Sequence, residues 1–128
     1  MTAQRIAKRI LIIDDEERIR EVVRACLEDL GGWQTLTAAS GEEGWQQATR
    51  EPLDAILLDV SMPDLDGITL FHRLHAHPAT SAIPVVLLTA KVLPDDKAQF
   101  AQLGIAGIIT KPFDPMRLVP DIAALLQW

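Results

Sequence analysis

Apolar residues recur along the chain in short unbroken blocks, separated by longer stretches of mixed character. Ile10–Ile13, Ala55–Leu58, Val85–Leu88 and Ile108–Ile109 are such blocks, and Trp33–Ala38 is a weaker one of alternating character. Runs of this length, rich in β-branched residues and leucine, suit strands covered on both faces, as in a parallel sheet.

Between the blocks the apolar residues fall at helical spacing. Ile19, Val22, Val23, Cys26, Leu27 and Leu30 form one stripe that Gly31-Gly32 ends. Ser40 and Glu43 make a capping-box pair at the start of a second helix, and Pro52 closes its exit loop. A third helix is predicted from about Gly67 to His75, with Leu70, Phe71 and Leu74 on one side and Pro78 beyond. A fourth starts near Pro94 and stops at Gly104. The fifth follows Asp114-Pro115 and carries Leu118, Val119, Ile122, Leu125 and Leu126; Pro120 inside it predicts a kink or a tight first turn.

The pattern is strand then helix, five times over, with no repeat or linker. Right-handed crossovers turn such alternation into an α/β fold, a parallel sheet with helices on both faces. In sheets of this kind the working site lies at the carboxyl edge of the strands.

Composition narrows the functional classes. The 128 residues fit one domain, and a net charge of −6 with no basic run argues against nucleic acid as a partner. The single cysteine, Cys26, makes no internal disulfide and suits a reducing compartment. Arg5, Lys8 and Arg9 precede the apolar Ile10–Ile13, but a secretory leader needs an apolar core of about 7–15 residues. No run approaches the roughly 20 apolar residues of a membrane helix, so no membrane insertion and a cytoplasmic location are expected.

The chemistry gathers where the blocks end. Asp14-Asp15 follow the first strand, Asp59 ends the third, Thr89 ends the fourth, and Lys111-Pro112 follow the fifth. Three converging carboxylates repel one another, and a hard dication bound through oxygen relieves the repulsion. Mg²⁺, with Mn²⁺ as second choice, needs only one or two carboxylates and a carbonyl beside its waters. The Ser61 backbone carbonyl, just past Asp59, is the candidate for the last. With a phosphoryl donor present, Asp59 is placed to attack phosphorus, Lys111 to neutralise one phosphoryl oxygen and Thr89 to donate to another.

Asp14-Asp15, Leu57-Leu58-Asp59-Val60-Ser61-Met62-Pro63-Asp64-Leu65-Asp66-Gly67, Thr89-Ala90 and Lys111-Pro112-Phe113 together resemble the motifs of response-regulator receiver domains, in order and across essentially the whole chain. The resemblance implies Asp59 as phosphoacceptor, Asp15 as a direct metal ligand, Asp14 acting mostly through water, and Thr89 and Lys111 as phosphoryl-sensing groups. It implies a flavodoxin-like (βα)5 sheet of order 2-1-3-4-5, and a cis Lys111–Pro112 bond. The partner it implies is a histidine kinase or histidine phosphotransfer protein of a two-component or phosphorelay pathway, with an unidentified protein target downstream. Residues 1–128 are then expected to be a single receiver domain, core about 8–127, with no output domain and no turnover of outside substrates.

The same residues admit other readings. An Mg²⁺-dependent aspartyl-phosphate phosphatase or phosphotransferase is the first alternative, although such enzymes want a second Asp where this chain has Ser61. A non-phosphorylated interaction module of the same fold is the second. Asp14-Asp15 alone would serve as a helix cap, Thr89 alone as a strand-end hydroxyl and Lys111 alone as a solvated cation. Asp66-Gly67 is expected in a turn or cap, with Gly67 supplying positive φ. His72, His75 and His77 are expected at a solvated helix end, Cys26 in packing, and Trp33, Trp45 and Trp128 scattered. Arg18 and Arg20 either face an acidic patch on a partner or pair with Glu17 and Glu21. Lys91 predicts slow loss of the phosphoryl group, by shielding it from water; a Lys91→Ala variant decaying no faster would remove that basis. The family often has Tyr or Phe three residues before the lysine, where this chain has Ile108. A muted rearrangement over 93–107 is therefore expected, and large NMR shifts there with a phosphoryl mimic would contradict it.

Overall fold

The structure, a computed structural model, describes residues 7–90 and 93–128; Lys91 lies outside the described residues. Five parallel strands, β1 (Arg9–Ile13), β2 (Gln34–Ala38), β3 (Ala55–Asp59), β4 (Val85–Thr89) and β5 (Gly107–Thr110), form one sheet of order β2-β1-β3-β4-β5. Helices α1 (Glu17–Ala25), α2 (Gly41–Arg50), α3 (Gly67–Ala76), α4 (Pro94–Ala101) and α5 (Pro115–Leu126) connect and cover it. This is the flavodoxin-like arrangement.

The apolar blocks are unbroken because both faces of the sheet are covered. Leu11, Ile13, Ile56, Leu58, Val85 and Leu87 pack with Ala48 of α2, Leu70, Phe71 and Leu74 of α3, and Phe100 of α4. The alternate residues Ile10, Ile12, Leu57, Val86, Leu88 and Ile109 pack with Val23 of α1 and with Leu118 and Ile122 of α5. β1, β3, β4 and β5 thus feed two cores with a period of two, whereas the edge strand β2 contributes Leu36 and Ala38 to the first.

Three local features differ from the pattern-based expectation. The first helix does not run regularly to Gly31: Cys26–Leu30 is a π-helical turn, in which the Gly31 amide reaches back five residues to the Cys26 carbonyl at 3.3 Å. Gly32, at φ +67°, then reverses the chain so that the Trp33 amide closes on the Leu27 carbonyl. The tryptophans are not all scattered, for Trp33 packs edge-on against Trp128 with ring centroids 5.1 Å apart. That pair joins the second strand's entry to the end of the last helix, a contact no local pattern announces. The regular part of α4 ends at Ala101, and Gly104 sits beyond it at φ +81°.

Of the two outcomes predicted for Pro120, the tight first turn is found. The Arg117 amide bonds to the Asp114 carbonyl, three residues back, and the helix continues through Pro120 to Leu126. Pro120 is exposed. Ser40 caps α2 by accepting from the Glu43 amide at 3.1 Å, as expected. Among the described residues no helix is long and apolar enough to cross a membrane.

Candidate functional site

Sheet order and register bring the strand ends together. The chain passes from β1 outward to β2 and then returns past β1 to β3, so a crevice opens between the carboxyl ends of β1 and β3. Ile13 is in register with Leu58, which sets Asp14 beside Asp59. Asp59 pairs with Leu88, one residue before Thr89, and Thr89 pairs with Thr110, one residue before Lys111. The Lys111 amide donates to the Thr89 carbonyl at 2.8 Å, tying the last two positions together. Lys111–Pro112 is cis.

Asp14 and Asp59 are buried, at 0% and 3% exposure, whereas Asp15 is exposed. Each of the three offers a carboxylate oxygen within 4.8 Å of the others. Lys111 Nζ stands 2.9 Å from Asp14 Oδ2, 3.3 Å from Asp59 Oδ1 and 3.6 Å from Glu16 Oε1. One ammonium among three clustered carboxylates leaves a surplus of negative charge in a low-dielectric crevice, which is costly unless a cation joins them. Asp14 Oδ2 is buried with no aligned hydrogen bond despite its nearness to the ammonium. These residues fit a hard divalent cation: Asp14 Oδ2, buried without a hydrogen bond, the buried Asp59 carboxylate beside it, the exposed Asp15 carboxylate, and backbone oxygens in the following loop.

The same crowding governs proton binding. Burial, reinforced by the Asp14 charge, pushes Asp59 up to about 6 against the opposing pull of Lys111 and the Ser61 amide. For Lys111, burial would lower the pKa, but the bonds and charges of Asp14 and Asp59 more than reverse this and the net shift is upward. The lysine therefore stays charged beside a carboxylate whose ionisation burial opposes.

Supporting contacts fix this geometry. Asp14 Oδ1 accepts from the Glu16 amide at 2.8 Å, and the Ser61 amide donates to Asp59 Oδ1 at 3.2 Å. Thus Asp14 does serve the start of α1, but with the oxygen that does not face Lys111. Thr89 is 2% exposed. Arg20 forms no ion pair with Glu17 or Glu21 among the described residues; its Nη1 donates to the Asp14 carbonyl at 2.8 Å and clamps the turn after β1. Glu16 is a third partner of Lys111. Helical side chains lean toward the N-terminus, which is the one sequence signal that could have placed Arg20 over that turn.

Asp66 is the cap of α3, accepting from the Ile68 amide at 2.7 Å. Gly67 needs no positive φ, contrary to expectation; positive φ among described glycines is confined to Gly32 and Gly104. It is glycine because a Cβ would stand 2.3 Å from the Asp59 carbonyl oxygen and 2.7 Å from Val60 Cα. Ile108 packs partly buried against the core face that holds Leu87. The histidines contribute no metal group among the described residues; His77 Nδ1 accepts from the Ala79 amide and its ring meets Trp45 edge-on. Cys26 is buried, and burial raises its thiol pKa, as a packing role requires.

Known proteins agree with this arrangement. The family model described as response regulator receiver domain matches residues 10–123. The phosphate regulon transcriptional regulatory protein PhoB of Pseudomonas aeruginosa is 38% identical over 122 residues, covering 95% of this chain and 53% of its own length. The chain thus spans about half the length of the curated relatives it matches. Among solved structures, the chemotaxis response regulator CheY4 of Vibrio cholerae superposes with a TM-score of 0.86 at 28% identity, over 93% of this chain and 98% of that one. The receiver domain of the sensor histidine kinase PA1611 of P. aeruginosa, solved with magnesium coordinated in its active-site cleft, gives 0.83 at 28% identity, over 95% and 99%. Fold, motif order and family match converge: the chain belongs to the response regulator receiver domains of two-component signalling systems.

Proposed function

We propose that Asp59 accepts a phosphoryl group from the phosphohistidine of a histidine kinase or phosphotransfer protein, and that the receiver formed by residues 1–128 changes a protein-binding surface in response. The observation that carries this reading is the Lys111 ammonium held between the buried carboxylates of Asp14 and Asp59 at the crevice mouth.

In the proposed reaction an Asp59 carboxylate oxygen forms a bond to phosphorus as the bond from phosphorus to the donor's imidazole nitrogen breaks. The product is an acyl phosphate on Asp59. Lys111 turns from the carboxylate pair toward a phosphoryl oxygen, as a point charge on a mobile stem. Thr89, at the adjacent strand end, donates its hydroxyl to another. The Ser61 amide on Asp59 Oδ1 keeps the carboxyl plane fixed. Asp14, Asp15, Asp59 and the Ser61 carbonyl would hold Mg²⁺, which when bound supplies charge neutralisation for a transfer that is mostly positioning and electrostatics. Mn²⁺ has the same hard-oxygen preference. The catalysis is confined to the chain's own labelling and its reversal, and a cytoplasmic location follows from the nature of the donor.

Incubation with acetyl phosphate and Mg²⁺ followed by intact-mass measurement tests this. One added phosphoryl group on wild type, absent from Asp59→Asn and from wild type in EDTA, is expected. An adduct that persists in Asp59→Asn would overturn the assignment, and rapid multi-turnover hydrolysis of the donor would favour a phosphatase.

A further inference from the structure

We propose that Asp64 is a positioning residue for the cation site, anchoring the loop that carries Ser61 to the first turn of α2; the inference rests on the function proposed above.

The loop leaves β3 at Val60 and enters α3 at Gly67. Its neck is pinned, for the Gly67 amide donates to the Val60 carbonyl at 2.9 Å and Gly67 lies flat on the Asp59 carbonyl. Val60 and Met62 are buried in the core, while Ser61, Pro63, Asp64 and Asp66 are exposed. Asp66 is engaged locally, as the α3 cap. Asp64 instead reaches a different element. Its Oδ1 accepts from the Gly41 amide at 3.0 Å and its Oδ2 from the Glu42 amide at 3.1 Å. These bonds, the Gly41 one foremost, lower its pKa, so the carboxylate stays ionised at neutral pH.

Beneath this bond pair the two elements touch. A Cβ on Gly41 would stand 2.6 Å from Leu65 Cβ, so α2 and the loop are packed backbone against side chain with no slack. The helix does not depend on Asp64 to start. Ser40 Oγ takes the Glu43 amide at 3.1 Å and the Ser40 carbonyl takes the Gly44 amide at 3.0 Å. Asp64 takes the two N–H groups that Ser40 leaves, with a charge that the helix N-terminus favours. What the aspartate stabilises is therefore the placement of the loop against α2, and with it the Ser61 amide on Asp59 and the Ser61 carbonyl offered to the cation. Groups that orient metal ligands in this indirect way typically shift affinity about 10- to 100-fold when removed.

Asp64→Ala, Asp64→Asn and Ser40→Ala separate anchoring from helix capping. Asp64→Ala is expected to weaken Mg²⁺ binding by about tenfold. Ser40→Ala is expected to lower the Tm without moving Mg²⁺ affinity. Asp64→Asn, which keeps an acceptor for one amide, should fall between wild type and Asp64→Ala. A second readout needs no metal: in amide hydrogen exchange, Asp64→Ala should speed exchange at Ser61, Gly41 and Glu42, and Ser40→Ala at Glu43 alone or with Gly44. Equal Mg²⁺ affinities for Asp64→Ala and Ser40→Ala, or Ser61 exchange at the wild-type rate in metal-free Asp64→Ala, would overturn the anchoring role. Failure of wild type to bind Mg²⁺ would overturn the cation site, and the exchange result would still decide the anchor.

Discussion

Asp59 is buried beside a second buried carboxylate, and the energetic consequence has a definite sign. Its folded-state pKa, about 6, lies above the value of 3.8 for a free aspartate. Between those values the folded state binds more protons than the unfolded one, so this group's contribution to stability falls as pH rises from about 4 to 6 and stays lost above. The cost is on the order of 2–3 kcal/mol at neutral pH. Asp59→Asn should therefore raise the Tm of the metal-free protein at pH 7–8, with the gain fading toward pH 4; thermal melts across that range check it. Lys111→Met separates binding from transfer. Losing the ammonium removes a competitor for Asp14 and Asp59, so Mg²⁺ affinity should hold or rise, while the labelling rate falls by about 100-fold. Titration of Mg²⁺ beside a labelling time course measures both. Asp14, Asp59, Thr89 and Lys111 were legible because each interrupts or closes an apolar block, and strand ends of a parallel sheet share an edge. Arg20, Glu16 as a Lys111 partner, and Asp64 were not, since their partners lie on other elements and their spacing carries no period.

At the scale of elements, the tightest constraint is the approach of α3 to β3. At Gly67 an added Cβ would meet backbone, whereas at Gly107 it would meet the Leu125 side chain, 2.4 Å from Cδ2. A leucine tip can turn aside and a strand carbonyl cannot. Gly67→Ala is expected to cost about 2–3 kcal/mol or more, and Gly107→Ala about 1 kcal/mol or less; urea denaturation of the two variants tests the order. Strands and helices were readable from periodicity because β1, β3 and β4 are buried on both faces and the helices along one stripe. The exceptions have tertiary causes. The π-helical turn at Cys26–Leu30 precedes the reversal that delivers Trp33 to Trp128, and a stripe at i, i+3, i+4 spacing does not reveal it. The regular part of α4 stops before its left-handed glycine because Gln102 and Leu103 bond back three residues rather than four.

For the whole molecule, the sheet order converts five scattered polar positions into one crevice. The return of the chain past β1 places Asp14 beside Asp59, and the next two strands bring Thr89 and Lys111 into step. The polar groups sit where the apolar cores end, so the fold tolerates their repulsion at one edge while two cores hold the rest. Strand order was legible only through the family resemblance; periodicity alone leaves several right-handed arrangements of five strands open. The proposed function requires these groups to act together on Asp59 around a single cation. A crystal structure with Mg²⁺ and beryllofluoride, a phosphoryl mimic, tests it most directly. The mimic is expected on Asp59, contacted by Lys111 Nζ and the Thr89 hydroxyl, with the cation held by Asp15, Asp59 and the Ser61 carbonyl. A mimic on another residue, or Lys111 still paired only with Asp14 and turned from the fluorines, would contradict it.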